Sequence, residues 1–339
     1  MLKIEAARVQ AVRAAEAAED LYPHLQGAVQ LEHSTIPVYL TALYSIKPGF
    51  LPEVRQILSS VAVEEMLHMA IACNVLNAIG GQPVINAPDF IPRYPGPLPM
   101  NINTSLQVHL APLSLARVEH EFMEIEEPET PLVFEAAAAF ATIGQFYRAL
   151  IDRIGELGDG IFTGDPARQV VAPELFGPDA LFAVHDVASA SRALSLVVEQ
   201  GEGTETSPLD PEGGIAHYYR FQEILKGRRL IRDSSPQGFS FSGPPVVFDA
   251  AGVSDMVSDP QASAYRPGSR ARVLCDAFSF AYTSLLNALH RTFNGEPAAL
   301  TQAMGLMFEL KVAAAQLIET VDETTGKQAT PTFEFLDRL

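Results

Sequence analysis

One helix-period apolar run that carries ionisable groups on its inward face limits the possible folds more than any other feature. From about Val54 to Ile79, residues Leu58, Val61, Glu65, His68, Ala72, Val75 and Ile79 recur at three- and four-residue steps and share one helix face. That face should point into a core, where a carboxylate is costly unless it is paired or binds a metal. Glu65 and His68 form a Glu-x-x-His pair. Helical bundles use such pairs to hold iron or manganese, adding a second pair and a single Glu from each of two other helices. The competing reading is a Glu/His pair at a helix edge, partly solvated. Because Glu-x-x-His recurs by chance, the remainder of the chain has to decide.

Composition removes several alternatives. There are 23 Lys and Arg against 41 Asp and Glu, a formal charge of −18. Nucleic acids and anionic membranes require clustered basic residues, so neither is expected as the main partner. The 47% apolar content of the 339 residues can bury a substantial core in one large domain or two. Cys73 and Cys275 lie far apart with no Cys-x-x-Cys pair, and Cys73 falls inside the Glu65 helix, so a buried free thiol is expected there. Met1 to Asp20 mixes charges with alanines and lacks a signal peptide's apolar core, and no uncharged run is long enough to span a bilayer. The expectation is a soluble, cytoplasmic protein.

In chain order, Pro23 to Tyr44 reads as a first long helix with Leu25, Ala28, Glu32, Thr35, Tyr39 and Leu43 inward. Pro37 lacks the N–H that would bond the carbonyl of His33, so a kink is expected just after Glu32. Lys47-Pro48-Gly49 then turns the chain, making this helix and the Glu65 helix antiparallel neighbours. Glu32 and Glu65 each lie roughly a dozen residues from the connection, and at about 1.5 Å per residue they reach a similar level. Gln82 to Asn103, rich in Pro and Gly, reads as an irregular crossover. Leu113 to Ile125 reads as a short helix followed by an acidic run to Glu129; His120 and Glu124 have metal-compatible spacing, but the charges around His120 favour a solvated surface helix.

Thr130 to Leu157 reads as a third helix with Phe140, Ile143, Tyr147, Leu150 and Ile154 on one stripe. The position where a metal bundle places a carboxylate here is Gln145, which offers an oxygen but no negative charge. Gly158 to Pro178 reads as a second irregular loop, and a fourth helix covers about Asp179 to Gln200. It ends in Val197-Val-Glu-Gln-Gly-Glu-Gly203, with Glu199 partly buried. A new helix opens at Ile215, with His217, Phe221 and Ile224 on one face. Glu199 and His217 are read as the second Glu-x-x-His pair, split by an inserted loop, the alternative being that His217 is an ordinary half-buried histidine. Arg229 to Pro267 reads as mostly irregular, and two amphipathic helices follow, Ser269 to Phe293 and Pro297 to Glu319, with Tyr282 and His290 structural. The tail Thr330 to Phe335 is expected to close over the protein.

Together, Glu32 with Tyr39, Glu65-Met-Leu-His68, Ile143-Gly-x-x-Tyr147, Glu199-Gln-Gly-Glu-Gly203 and His217-Tyr-x-Arg-Phe221 make the chain resemble the iminophenyl-pyruvate dimer synthase family, a ferritin-like group. Phe293-Asn-Gly295 and Pro331-Thr-Phe-Glu334 extend the resemblance over nearly the whole chain. It implies an all-α fold, a ferritin-like four-helix bundle with long irregular crossovers and additional C-terminal helices. Residues 1–230 would form the metal-binding bundle and 231–339 a helical extension packed on it. It further implies Glu32, Glu65, His68, Glu199 and His217 as metal ligands, with Glu202 a sixth ligand or a partner orienting His217. The family often has Glu where Gln145 stands, so one-ion and two-ion sites both remain open.

Family members in bisindole pigment pathways couple two aryl-pyruvate imines oxidatively, and this chain is similar to their ferritin-like part. The implied function is an iron-dependent oxidoreductase of a small organic substrate, with manganese the alternative ion. Tyr39 and Tyr147 are candidates for electron or proton relay, against a packing role. Iron oxidation or storage without an organic substrate is a second reading, and an inactive scaffold with an empty acid/His cluster a third. A monomer or small homo-oligomer suits the long loops better than a storage cage.

Overall fold

The computed structural model describes residues 4–101, 106–127, 140–202, 207–209, 213–234 and 238–336. A short α1 (Ala6–Arg13) precedes two long helices, α2 (Ala18–Ser45) and α3 (Pro52–Ala78). The next segment strings together α4 (Leu115–Arg117), a π-turn (Val118–Phe122) and α5 (Met123–Ile125). Then come α6 (Ile143–Leu157), α7 (Pro173–Phe176), α8 (Val187–Glu202) and α9 (His217–Lys226). The long helices α10 (Arg270–Phe293) and α11 (Leu300–Ile318) close the order. Strands are minimal among the described residues. Ile4–Glu5 pairs antiparallel with Phe140–Ala141, and Ile231–Arg232 with Phe239–Ser240.

The hub is α3. Pro52 starts it at the first helical position, where its missing N–H costs nothing. Gly80, at φ 93°, ends it, and the N–H of Gly81 returns to the carbonyl of Leu76 at 2.9 Å. From Leu67 to Ile79 every residue is buried, as expected of a helix with neighbours on all sides. Helix α2 runs antiparallel to it: Tyr22 near the start of α2 donates to the carbonyl of Ile79 at 3.0 Å, while Arg55 near the start of α3 reaches the carbonyl of Ile46 at 2.8 Å. Helices α6 and α8 pair with each other, α8 and α9 lie against α3, and α9 also packs on the π-turn. Each Leu, Ile or Val fully withdrawn from water along α3 contributes about 1.5–3 kcal/mol.

Two buried asparagines tie irregular chain to this hub. The amide of Asn74 donates to the carbonyl of Val170 at 2.8 Å, and its oxygen accepts from the Val170 N–H at 3.0 Å, anchoring the loop after α6. Asn77 donates to the carbonyl of Phe293 at 2.8 Å, pinning the end of α10. The C-terminal pair α10–α11 therefore sits on the bundle rather than apart from it, and one hydrophobic cluster runs from Val9 to Phe333.

Several boundaries differ from the sequence expectation. Helix α2 begins at Ala18 rather than at Pro23 and runs to Ser45 with both Pro23 and Pro37 inside it. The third helix starts at Ile143 rather than Thr130: Phe140–Ala141 is extended, Thr142 caps the helix, and residues 128–139 lie outside the described set. Helix α8 starts at Val187, and the stretch after Arg229 contains the small hairpin. Both cysteines are buried free thiols. No helix among the described residues is long and apolar enough to cross a membrane.

The tail does close over the protein. Phe333 is 1% exposed and lies edge-on to Phe278 and Tyr282, with ring centroids 4.9 and 5.1 Å away. It keeps a left-handed backbone, φ 51°, which costs energy for a side chain of this size. Aromatic burial outweighs that cost. Phe333→Ala should therefore lower unfolding stability by about 3–5 kcal/mol, read as a drop in the urea midpoint with little change in slope.

Candidate metal centre

Where α2, α3, the π-turn segment and α9 meet, three carboxylates and two imidazoles converge. Glu32, Glu65 and His68 bring ligand atoms within 4.8 Å of one another, and so do Glu65, Glu126 and His217. Glu65 belongs to both trios and is the hinge of the arrangement. Its Oε1 lies 2.9 Å from His217 Nδ1 and 3.9 Å from His68 Nδ1. Its Oε2 accepts from Thr35 at 2.9 Å. Glu32 Oε2 is 3.5 Å from His68 Nδ1, and Glu126 Oε2 is 3.4 Å from His217 Nδ1. The two imidazoles stack, 5.5 Å between centroids.

Local sequence explains how each donor arrives. The Glu65–His68 spacing puts both on one face of α3, and the same periodicity brings Glu32 to the facing stripe of α2. Glu126 comes four residues after Phe122, and His217 stands four residues before Phe221. Phe122 and Phe221 pack on Tyr39 with centroids 5.2 and 5.4 Å from its ring. Three aromatic side chains thus lock α2, the π-turn and α9 together and aim two donors at one point. The π-turn lies in the segment that carries Glu126, and such turns often mark functional positions.

Each histidine has its outer nitrogen committed. His217 Nε2 meets Glu64 Oε2 at 2.8 Å, and Arg220 holds Glu64 through contacts of 2.8 Å to both oxygens. His68 Nε2 meets the amide oxygen of Gln200 at 2.9 Å. The Nδ1 atoms are left facing the carboxylates. His217 Nδ1 is fully buried and makes no directed hydrogen bond although two carboxylates lie close. A nitrogen aimed between two carboxylates is placed as a lone pair would be toward a shared ion, so the donor set fits a metal. Two imidazoles among carboxylates suit a transition ion better than Mg²⁺ or Ca²⁺.

Without a cation, protons must balance this cluster. Burial and the nearby Glu126 push the Glu65 carboxyl up to about 7, against the opposite pull of His217. Burial lowers the basicity of His217, but contacts with Glu126, Glu64 and Glu65 overcome it and leave the imidazole well above its usual range. His68 is likewise raised, the Glu32 contact prevailing over burial. Glu64 goes the other way, to about 2: burial opposes ionisation, but His217 and Arg220 dominate. The tyrosines complete the site. Tyr39 donates to Glu126 and Tyr147 to Glu32, and burial together with these carboxylates raises both phenols far above their normal range.

Glu32, Glu65, His68 and His217 therefore lie together, with Tyr39 and Tyr147 against the outer carboxylates. Two other expected ligands, Gln145 and Glu199, do not join them. Gln145 is spent on helix capping: its side-chain oxygen accepts from the Thr142 N–H at 3.2 Å, while its own N–H donates to Thr142 Oγ1 at 3.0 Å. Glu199 is half-buried on α8 and outside both trios, because the inward stripe of that helix runs Ala190, Ala193, Leu194, Val197 and Gln200. One residue of offset, about 100° of rotation, separates it from that stripe. The side chain of Glu202 lies outside the described residues.

Sequence reasoning missed Glu126, Glu64 and Gln200. The signal for Glu126 was present, since Val118, Phe122 and Ile125 form an apolar stripe leading to it. His120 is 70% exposed at its side chain, as its charged surroundings implied.

A carboxylate–histidine cluster in the interior of a helical bundle is the arrangement by which bundles of this class can hold a metal ion. The ferritin-like family model matches residues 25–226, and the chain belongs to that family. A crystallised ferritin-like protein from Caulobacter vibrioides is 28% identical, with a TM-score of 0.61 over 92% of this chain and 96% of that one. A dichlorochromopyrrolate synthase from Lentzea aerocolonigenes is 27% identical over 317 residues, covering 83% of this chain but only 30% of that enzyme. The chain thus spans under a third of that relative's length.

If Glu126 is a ligand, Glu126→Gln should lower the Fe or Mn retained after desalting, measured by elemental analysis. The exposed His120→Ala should retain as much as the parent. Equal retention in Glu126→Gln would remove Glu126 from the ligand set.

Proposed function

We propose that the chain is an iron-dependent oxidoreductase acting on a small organic molecule, with two ions held by Glu32, Glu65, His68, Glu126 and His217. The observation that carries this reading is the position of Glu65 between the two trios, each completed by its own carboxylate and imidazole. Ferritin-like two-ion sites ordinarily have four carboxylates and two histidines. Here three carboxylates set about −3 of charge against the +4 of two divalent ions, which leaves room for anionic or neutral oxygen ligands. Bound iron would supply one-electron and O₂ chemistry.

The chain's own residues supply the rest. Tyr147 and Tyr39 hold protons at their phenolic oxygens against Glu32 and Glu126, fixing the outward oxygen of each carboxylate. A cavity of about 50 Å³ adjoins the donors, walled on its apolar side by Leu31, Ile143, Val197 and Val198. Those apolar side chains lower the local dielectric and strengthen the charge interactions of the cluster. That space holds a few molecules the size of water or dioxygen, so an organic substrate would lie across its open side or displace part of the wall. The same small volume favours a second reading, iron oxidation with no organic substrate.

Following the resemblance carried by the sequence motifs, aryl-pyruvate imines are the first substrates to assay, and the likeness to part of a dichlorochromopyrrolate synthase supports that choice. Protein loaded anaerobically with Fe(II) is expected to consume O₂ together with the imine, and chelation should abolish both. Turnover of the imine without O₂ would count against O₂ chemistry. Uptake of O₂ with Fe(II) alone and no organic product would favour the second reading, and failure to retain any metal would sink both.

A further inference from the structure

We infer that the two ion positions are unequal, and that Glu64, clamped by Arg220, makes the Glu65/Glu126/His217 position the tighter one. The inference rests on the two-ion reading above and adds an order of occupation to it. The two halves of the site are otherwise closely matched. Both share Glu65. Each has one outer carboxylate, and each of those accepts a tyrosine hydroxyl, Tyr147 on Glu32 and Tyr39 on Glu126. Each offers an imidazole through Nδ1. Two things differ: the shared Glu65 Oε1 lies nearer His217 Nδ1 (2.9 Å) than His68 Nδ1 (3.9 Å), and the group behind each imidazole is not the same.

Behind His68 stands the neutral amide of Gln200, its oxygen 2.9 Å from Nε2. Behind His217 stands the carboxylate of Glu64, 2.8 Å from Nε2. A carboxylate accepts a hydrogen bond more strongly than an amide oxygen does, which fixes the tautomer and makes the opposite nitrogen a better donor. The geometry is also held more firmly on that side. Arg220 lies three residues after His217 on α9 and grips both oxygens of Glu64, and it reaches Ser60 on α3 at 3.0 Å. Glu64 in turn is the chain neighbour of Glu65. One clamp therefore sets the orientation of α9's imidazole relative to α3's shared carboxylate. Glu64 and Arg220 are positioning residues: neither belongs to the two donor trios.

Titration of the metal-free full chain with Mn(II) by calorimetry, followed in parallel by electron paramagnetic resonance, tests this. The parent should show two steps, and one equivalent should give an isolated-ion signal rather than a mixture of empty and doubly loaded protein. Glu64→Gln should weaken the tighter step by about 10–100-fold, the usual effect of removing such a partner, and leave the other step nearly unchanged. Gln200→Glu should make the converse change and tighten the weaker step. Thermal melts of both variants establish that they are folded; if Glu64→Gln is not, Gln200→Glu decides the matter by itself. Two equal steps in the parent, equal weakening of both steps in Glu64→Gln, or no effect of either variant would overturn the inference and leave the two-ion reading standing. No uptake of Mn(II) or Fe(II) by the parent would overturn that reading, and the inference with it.

Discussion

Everything in this molecule accommodates the concentration of three carboxylates and two imidazoles in a dry interior. Unpaired, each such charge would cost several kcal/mol to withdraw from water. The arrangement persists because every donor has a second contact: Thr35 on Glu65, tyrosines on Glu32 and Glu126, Gln200 on His68, and the Glu64–Arg220 pair on His217. These contacts fix the donors in place without an ion, and such fixed geometry would favour binding over rearrangement.

The apolar framework does the aiming. Helix α3 is buried around its whole circumference through its second half, so its rotation is set by neighbours on every side. That fixes the direction of Glu65 and His68. Tyr39, Phe122 and Phe221 do the same for the more irregular segments, holding the π-turn and α9 against α2. Tyr39 thus has two roles in one side chain, a packed ring and a hydroxyl on Glu126. The C-terminal helices contribute from the other face of α2. Tyr282 bonds His33 Nε2 at 2.8 Å, and burial holds that imidazole neutral, far below its usual range.

Much of the centre was legible because helical periodicity is a local property. The stripes through Glu32 and through Glu65–His68 needed no knowledge of neighbouring chain, and the turn at Lys47 to Gly49 brought them to one level. His217 could be placed by its company with Phe221 and Ile224. The errors have separate causes. Glu199 and Gln200 are adjacent in an amphipathic helix, and apolar pattern alone does not settle which of two polar neighbours points inward. Gln145 was assigned by analogy of position, while its local sequence, Thr142 followed three residues later by Gln, already spelled a capping box. Glu126 was passed over because it sits in an acidic run, which usually marks a solvated surface.

The chain by itself therefore determined the class of fold, the antiparallel pair that carries Glu32, Glu65 and His68, and the acidic, basic-poor surface. Each follows from composition or from spacing within one helix. Only the tertiary structure decided that Glu126 completes the cluster, that Glu64 and Gln200 back the two histidines differently, and that Gln145 and Glu199 stand aside. Those choices depend on the rotation of one helix against another and on the path of chain between them. Rotation and path are set by side-chain packing across distances in sequence that no local pattern spans.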